Sequence, residues 1–234
     1  MNFWSSSFHA TGEVEALAFV ERSLRSVAEP VIFDVGANVG EFSAACLATF
    51  HDRCVVHAFE PSAMTYAILQ TKLGDKVGAS LQLHNLGLSD ETREMTLYSS
   101  EVGSTIASVH QLDRPLRPFR DEFSERVQLT TLDHFCDQMR IERIDFLKLD
   151  IEGHELHALR GASALLRGGK IRFIQFEFGE NNITSKTFLA DFHRILGEHY
   201  RMFRIVPGGL VPWTYEGGRS EIFATMNYLC ERVG

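Results

Sequence analysis

The chain has 234 residues, of which 44% are hydrophobic and 23% charged, a size and composition typical of one globular domain. Its net charge of −8 argues against a broad nucleic-acid surface, which needs clustered Lys and Arg. No apolar run approaches the ~20 residues of a membrane span, and the N-terminal residues lack the pattern of a signal peptide. We therefore expect a cytoplasmic protein whose four cysteines are reduced.

The order of apolar runs predicts an α/β fold. An amphipathic helix is predicted over residues 13–28, so that residues 1–29 form a helical extension or lid and residues 30–234 the main domain. Strands are predicted at 31–35, 54–59, 81–85, 93–99, 126–130, 144–149, 171–178, 201–206 and 221–230. Further helices are predicted at 41–50, 62–73, 132–139, 154–166 and 185–199. Apolar strands that alternate with helices indicate a mostly parallel sheet with helices on both faces.

The ends of the first two strands carry the candidate ligand-binding residues, since ligands of such sheets bind beyond the carboxyl ends of the strands. Gly36 permits a tight turn after the first strand, and Glu60 after the second could accept hydrogen bonds from a ribose diol. Nicotinamide enzymes share this combination. However, Asn38 stands where a pyrophosphate site needs its second glycine, and Asp34 places an anion beside the turn. The pattern favours a ligand with a cationic sulfonium and ammonium.

Four segments resemble the FkbM-type methyltransferases: residues 34–40, 59–61, 85–90 and 145–155. The resemblance covers about residues 30–178. It implies a Rossmann-like class I methyltransferase with a seven-stranded, mostly parallel sheet whose last strand is antiparallel. It also implies transfer of a methyl group from S-adenosylmethionine to a hydroxyl oxygen.

The resemblance also implies roles for individual residues. The methionine part of the cofactor would be surrounded by Asp34, Gly36, Asn38 and Gly40. The ribose would lie at Glu60 and Pro61, and the adenine near Asn85 and Gly87. Asp150 would face the sulfonium.

Two hypotheses address how the acceptor hydroxyl loses its proton. His154, one helical turn beyond Asp150, is a candidate general base, and a histidine on the helix surface is the equal alternative. Asp150 and Glu177 end neighbouring strands and, with Asn181, are candidate ligands of a divalent cation such as Mg²⁺. Glu177 could instead hydrogen-bond hydroxyls of the substrate.

The expected acceptor is a small molecule or a glycan. Residues 178–182 and 221–228 resemble family members linked with bacterial surface-polysaccharide synthesis, which favours a sugar hydroxyl over a polyketide hydroxyl. The N-terminal helix, the irregular stretch 100–125 and the loop 207–220 are the candidates to shape the acceptor pocket. Two rivals are a nicotinamide-dependent oxidoreductase and a non-catalytic binding module. The oligomeric state is left open, and a dimer is compatible with the sequence.

Overall fold

The computed structural model describes residues 11–99, 107–110 and 123–234. Its strands are β1 (Val31–Val35), β2 (Val55–Phe59), β3 (Leu81–His84), β4 (Gly87–Leu88), β5 (Arg93–Ser99), β6 (Phe123–Thr130), β7 (Ile144–Leu149), β8 (Ile171–Phe178), β9 (Tyr200–Val206), β10 (Gly209–Trp213) and β11 (Met226–Arg232). Its α-helices are α1 (Glu13–Ser23), α2 (Glu41–Phe50), α3 (Ala63–Leu73), α4 (Leu132–Met139), α5 (Glu155–Arg160), α6 (Ser163–Arg167), α7 (Asn181–Ser185) and α8 (Leu189–Leu196). Each helix of the described ranges falls short of the apolar length that a bilayer span requires.

The main sheet has the strand order β3-β2-β1-β7-β8-β11-β9-β10. Strands β3, β2, β1, β7 and β8 pair in parallel, whereas β11 is antiparallel to both β8 and β9. This confirms the predicted mostly parallel sheet with an antiparallel last strand. An eighth strand, β10, folds back on β9 within the segment predicted as the loop 207–220.

The sheet separates two hydrophobic cores, as the continuous apolar runs predict. All six residues of β7 are buried, because helices cover both of its faces. One core includes residues of α4, α5, α6 and α8, and the other includes residues of α1, α2 and α3. Helix α1 therefore packs into the domain through Ala16, Leu17 and Val20. The four cysteines are buried and free.

Two predicted helices differ from the observed ones in their extent. The helix predicted over 154–166 is broken between α5 and α6 at Gly161, where a Cβ would lie 2.0 Å from the carbonyl oxygen of Ser89. The helix predicted over 185–199 corresponds to α8, which begins only at Leu189, and the short helix α7 precedes it. Between them Lys186 has a left-handed backbone with a φ of 54°.

The predicted end of one helix and the predicted start of one strand were wrong. Helix α1 ends at Ser23 rather than at residue 28. Strand β11 begins at Met226 rather than at residue 221. The carboxylate of Glu221 instead accepts hydrogen bonds from the amides of Leu189 and Ala190, both at 2.8 Å, and so stabilises the start of α8.

A second, three-stranded sheet of order β4-β6-β5 has its own small core of Leu97, Val127 and Leu129. Two backbone hydrogen bonds between Tyr98 and Ser108 attach residues 107–110 to β5. This described part of the irregular stretch 100–125 is thereby held against the small sheet. Residues 123–125 of that stretch begin β6, and residues 100–106 and 111–122 lie outside the described residues.

Candidate functional site

A pocket lies at the carboxyl ends of β1, β2 and β7, where the strand order reverses on either side of β1. Six of the nine residues predicted to bind the cofactor line it: Gly36, Asn38, Glu60, Pro61, Gly87 and Asp150. They come from four separate parts of the chain. The structure thus brings together the strand-end residues that the sequence singled out.

The turn after β1 is fixed by close backbone contacts. Gly36 has a φ of 83°, and a Cβ at this position would lie 1.9 Å from the carbonyl oxygen of Asp150. The amides of Gly36 and Ala37 donate to the carbonyl oxygen of Phe59, at 3.0 and 2.9 Å. Only glycine satisfies both the conformation and the contact. The turn therefore joins the ends of β1, β2 and β7 into one rigid pocket wall.

The carboxylate of Glu60 is the most buried acid of the pocket wall, with 6% of the residue exposed. It accepts hydrogen bonds from the amide of Asn38 at 3.0 Å and from the amide of Ser62 at 2.9 Å. Burial nevertheless raises the pKa of Glu60 to about 7, because these two bonds offset only part of the desolvation. Each oxygen retains a lone pair with which it can accept a hydroxyl of a ligand.

Two of the remaining predicted cofactor residues have structural roles. The side-chain amide of Asn85 donates to the carbonyl oxygens of Glu60 and Pro61, at 2.9 and 3.0 Å, and so fixes the turn that follows β2. Gly40 has a φ of 90°, and a Cβ there would lie 2.6 Å from side-chain atoms of Leu69 and Leu73. Asn85 and Gly40 do not line the pocket; they position the residues that do.

Asp34 lies beneath the pocket in a buried cluster of charges. One oxygen of Asp34 accepts a hydrogen bond from the Ser43 hydroxyl at 2.6 Å; for the other, no donor is within reach among the described residues. Burial raises the pKa of Asp34, and the nearby ammonium of Lys148 opposes that rise. Lys148 itself is buried and donates to Asp150 at 2.7 Å. Its pKa is raised because the attraction of Asp150, Asp34 and Glu13 outweighs the desolvation.

Three carboxylates meet at the ends of β7 and β8. One oxygen from each of Asp150, Glu152 and Glu177 lies within 4.8 Å of the other two. Burial is the main cause that raises the pKa of Glu177 to about 8, and the negative charges of Asp150 and Glu155 raise it further. Asn181, the third predicted cation ligand, donates through its side-chain amide to Glu152. Asp150 and Glu177 are thus brought together as predicted, with Glu152 as an unpredicted neighbour.

His154 lines the pocket, but both of its ring nitrogens are engaged. Nε2 lies 2.9 Å from the Ser89 hydroxyl and Nδ1 lies 3.0 Å from Nε2 of His110. Burial lowers the pKa of His154 to about 2, which makes it a weak base. The two engaged nitrogens and the lowered pKa thus disfavour His154 as the group that accepts a proton.

An apolar wall and one acid of the pocket were not singled out from the sequence. The small sheet and the strip 107–110 supply Leu88, Leu97, Leu129, Ala107 and Val109. The acid is Glu152, which falls within the motif at 145–155 and has a left-handed φ of 54°. That strained backbone is not visible in a sequence, whereas the irregular stretch 100–125 was a usable signal for Ala107 and Val109.

The mostly parallel sheet with antiparallel β11 between β8 and β9, together with the pocket at the switch point, matches the fold of S-adenosylmethionine-dependent class I methyltransferases. A solved structure provisionally described as an rRNA methylase of Clostridium thermocellum shares the fold. Its TM-score is 0.50 at 10% identity, over 94% of this chain and 97% of that one. The chain belongs to the FkbM methyltransferase family, because the family model described as "Methyltransferase FkbM domain" matches residues 34–203. This confirms the resemblance found in the sequence.

Two curated relatives have names that state what they methylate, a hexuronic acid in one case and a 2-O position in the other. The hexuronic acid methyltransferase AglP of Haloferax volcanii is 23% identical over 64% of this chain and 57% of its own length. The 2-O-methyltransferase NoeI of Sinorhizobium fredii is 25% identical over 69% of this chain and 68% of its own length. The chain spans little more than half the length of several curated relatives that it matches.

Proposed function

We propose that this protein transfers the methyl group of S-adenosylmethionine to a hydroxyl group of a sugar. One observation carries the proposal: a single pocket at the switch point combines Glu60, suited to a ribose diol, with the carboxylates of Asp150 and Glu152, suited to a cation. The turn at Gly36, which lets the backbone lie close to a ligand, and the buried carboxyl group of Asp34 beneath the pocket also fit a ligand with a cationic amino-acid end.

The residues of the pocket suggest how the transfer is assisted. S-adenosylmethionine, when bound, supplies the methyl group. Glu60 orients the ligand through its ribose, and Gly36 lets the backbone lie close to it. Glu177 accepts the proton that the acceptor hydroxyl loses as the new C–O bond forms and the S–C bond breaks. Holding the hydroxyl in line with that bond is expected to supply much of the rate.

The first test of the proposal is which nucleotide cofactor binds. We expect S-adenosylhomocysteine, and not NAD, to bind saturably in a calorimetric titration. A ribose donates to an ionised carboxylate, so the affinity should rise as the pH rises through about 7, the pKa of Glu60. Glu60→Ala should weaken binding by about 1–3 kcal/mol, the effect of an unmade buried hydrogen bond. Glu41→Ala, at an exposed position of α2, is the control. A preference for NAD would contradict the proposed cofactor.

The sugar acceptor is supported by the name of the hexuronic acid methyltransferase AglP and by the resemblance of residues 178–182 and 221–228, and the name of the 2-O-methyltransferase NoeI supports transfer to oxygen. The net charge of −8 disfavours a nucleic-acid acceptor. We expect a glycoside with free ring hydroxyls, either neutral or a uronic acid, to yield a methyl ether detectable by mass spectrometry. If a polyketide alcohol were methylated and no sugar were, the acceptor would be a polyketide hydroxyl and the sugar proposal would be wrong.

The alternative hypothesis is that Asp150, Glu177 and Asn181 bind a divalent cation. The carboxylates lie close enough to share an ion. However, Lys148 and Asn181 already donate to Asp150 and Glu152, and the raised pKa of Glu177 favours its neutral form. These residues therefore fit Mg²⁺ poorly, since it prefers ionised oxygen ligands. We expect Mg²⁺ to leave the transfer rate of metal-stripped protein unchanged. If Mg²⁺ instead raised the transfer rate, and Glu177→Gln removed that effect, the carboxylates would be shown to bind the cation.

The N-terminal helix contributes to the floor of the site. Glu13 of α1 accepts a hydrogen bond from Gln175 at 2.8 Å, beside the buried Lys148. We therefore propose that residues 13–23 act as a fixed part of the methyltransferase domain rather than as a lid that opens.

A further inference from the structure

Three histidines that the proposed reaction does not use lie together on the outer side of the pocket. His110 belongs to the strip 107–110, His154 precedes α5 and His157 lies within it. One nitrogen from each imidazole lies within 4.8 Å of the other two. The rings of His154 and His157 are stacked, with centroids 4.4 Å apart. Residues distant in the sequence thus converge on one point.

The hydrogen bonds around His154 fix which nitrogen carries its proton. The hydroxyl of Ser89 donates to Asp90 at 2.9 Å, so its oxygen must accept the Nε2 proton of His154. The lone pair of His154 is then on Nδ1, which faces Nε2 of His110 at 3.0 Å. A histidine whose far nitrogen donates to a hydroxyl–carboxylate pair has the support typical of a metal ligand.

The other two imidazoles are also suited to ligation. Nδ1 of His157 is buried and has no hydrogen-bond partner within the described part of the chain. Burial lowers the pKa of all three histidines, which favours the neutral form that a metal needs. Arg93, whose positive charge acts on all three histidines, is paired with Asp90 and Glu91 at 3.6 and 2.5 Å.

We propose that His110, His154 and His157 bind one divalent transition-metal ion of the zinc type. Three imidazoles are a ligand set that Zn²⁺ accepts, whereas Mg²⁺ prefers oxygen. Such an ion would join the strip 107–110 to the start of α5. Because Ala107, Val109 and His154 line the pocket, the ion would fix the shape of its outer wall. The inference does not depend on the identity of the methyl acceptor.

The test is a calorimetric titration of the metal-stripped full chain with Zn²⁺ and, separately, with Mg²⁺. We expect one Zn²⁺ per chain and no saturable Mg²⁺ binding. His110→Ala and His157→Ala should each weaken Zn²⁺ binding by about tenfold or more. The exposed His134→Ala should not change it. Melting temperatures of the metal-free variants establish that they are folded.

Three results would overturn the zinc site: no stoichiometric binding, binding that survives both histidine substitutions, or binding that Glu177→Gln abolishes while His110→Ala does not. The last result would place the ion on the carboxylates. S-adenosylhomocysteine binding, measured on the same samples, is a separate outcome. If it persists without Zn²⁺ binding, only the metal site fails; if Zn²⁺ binds without it, only the proposed cofactor fails.

Discussion

Replacement of Glu177 by glutamine is expected to lower the rate of methyl transfer by about 10²- to 10⁴-fold, the usual contribution of a general base. The substitution preserves the shape of the side chain and removes its ability to accept a proton. Binding of S-adenosylhomocysteine should change little, because Glu177 is not among the pocket residues proposed to hold the cofactor and would act on the acceptor beside Asp150 and Glu152. Single-turnover kinetics with a methylated sugar as product would measure the effect.

The pH dependence distinguishes a base from a residue that only shapes the site. A base must be deprotonated, so kcat/KM of the natural protein should rise with pH through about 8, the pKa of Glu177. The Glu177→Gln variant should lack that rise. Glu180→Gln, at an exposed position just beyond β8, is the matched control and should keep both the rate and the profile. An active Glu177→Gln variant with an unchanged profile would refute this role.

The same raised pKa has a consequence for stability with a definite sign. The folded state keeps the Glu177 proton up to about pH 8, whereas the unfolded chain loses it near the ordinary value of 4.5. Protonated Glu177 therefore contributes to the free energy of unfolding at low pH, and this contribution declines as the pH rises between those two values. The glutamine variant should be at least as stable as the natural protein at pH 9, so that its lost activity cannot be ascribed to unfolding.

Replacement of Gly36 by alanine is expected to destabilise the protein and abolish S-adenosylhomocysteine binding. A left-handed backbone costs alanine about 1–2 kcal/mol, and the clash with the Asp150 carbonyl adds about 1–3 kcal/mol of overpacking. Relief of the clash would move Asp150 away from β1 and open the pocket wall. Chemical denaturation and calorimetry would measure the two effects.

Gly208 provides the control for this prediction. Its φ is 91°, similar to that of Gly36, but nothing lies within 4 Å of the position its Cβ would take. Gly208→Ala should therefore show the backbone cost alone and retain ligand binding. Equal destabilisation of the two variants would show that the close approach to Asp150 has no energetic importance.

The sequence was informative where a residue's role follows from its place at a strand end. Gly36, Glu60 and Asp150 each follow a buried apolar run, and the geometry of a parallel sheet forces such positions to one edge. Their convergence was therefore predictable without any contact information. The same reasoning correctly paired Asp150 with Glu177.

Other features depend on contacts that no local pattern encodes. His110 reaches His154 across 44 residues of sequence, so no spacing rule could connect them. The helix breaks at Gly161 because the Gly161 carbonyl oxygen and the Leu165 amide, which would pair in a continuous helix, both pair with the distant residue Asp133. Strand β10 was not predicted because the glycines and Pro212 in and beside it are typical of a loop.

Strand β10 also bears on how copies of this chain can meet. It is the outermost strand beside β9, and an exposed strand edge invites hydrogen bonding by another chain. Its five residues include Pro212, which has no N–H to donate to such a neighbour. A continuous intermolecular sheet through this edge is thus discouraged, and the other edge of the main sheet that could accept an added strand is β3, on the opposite side.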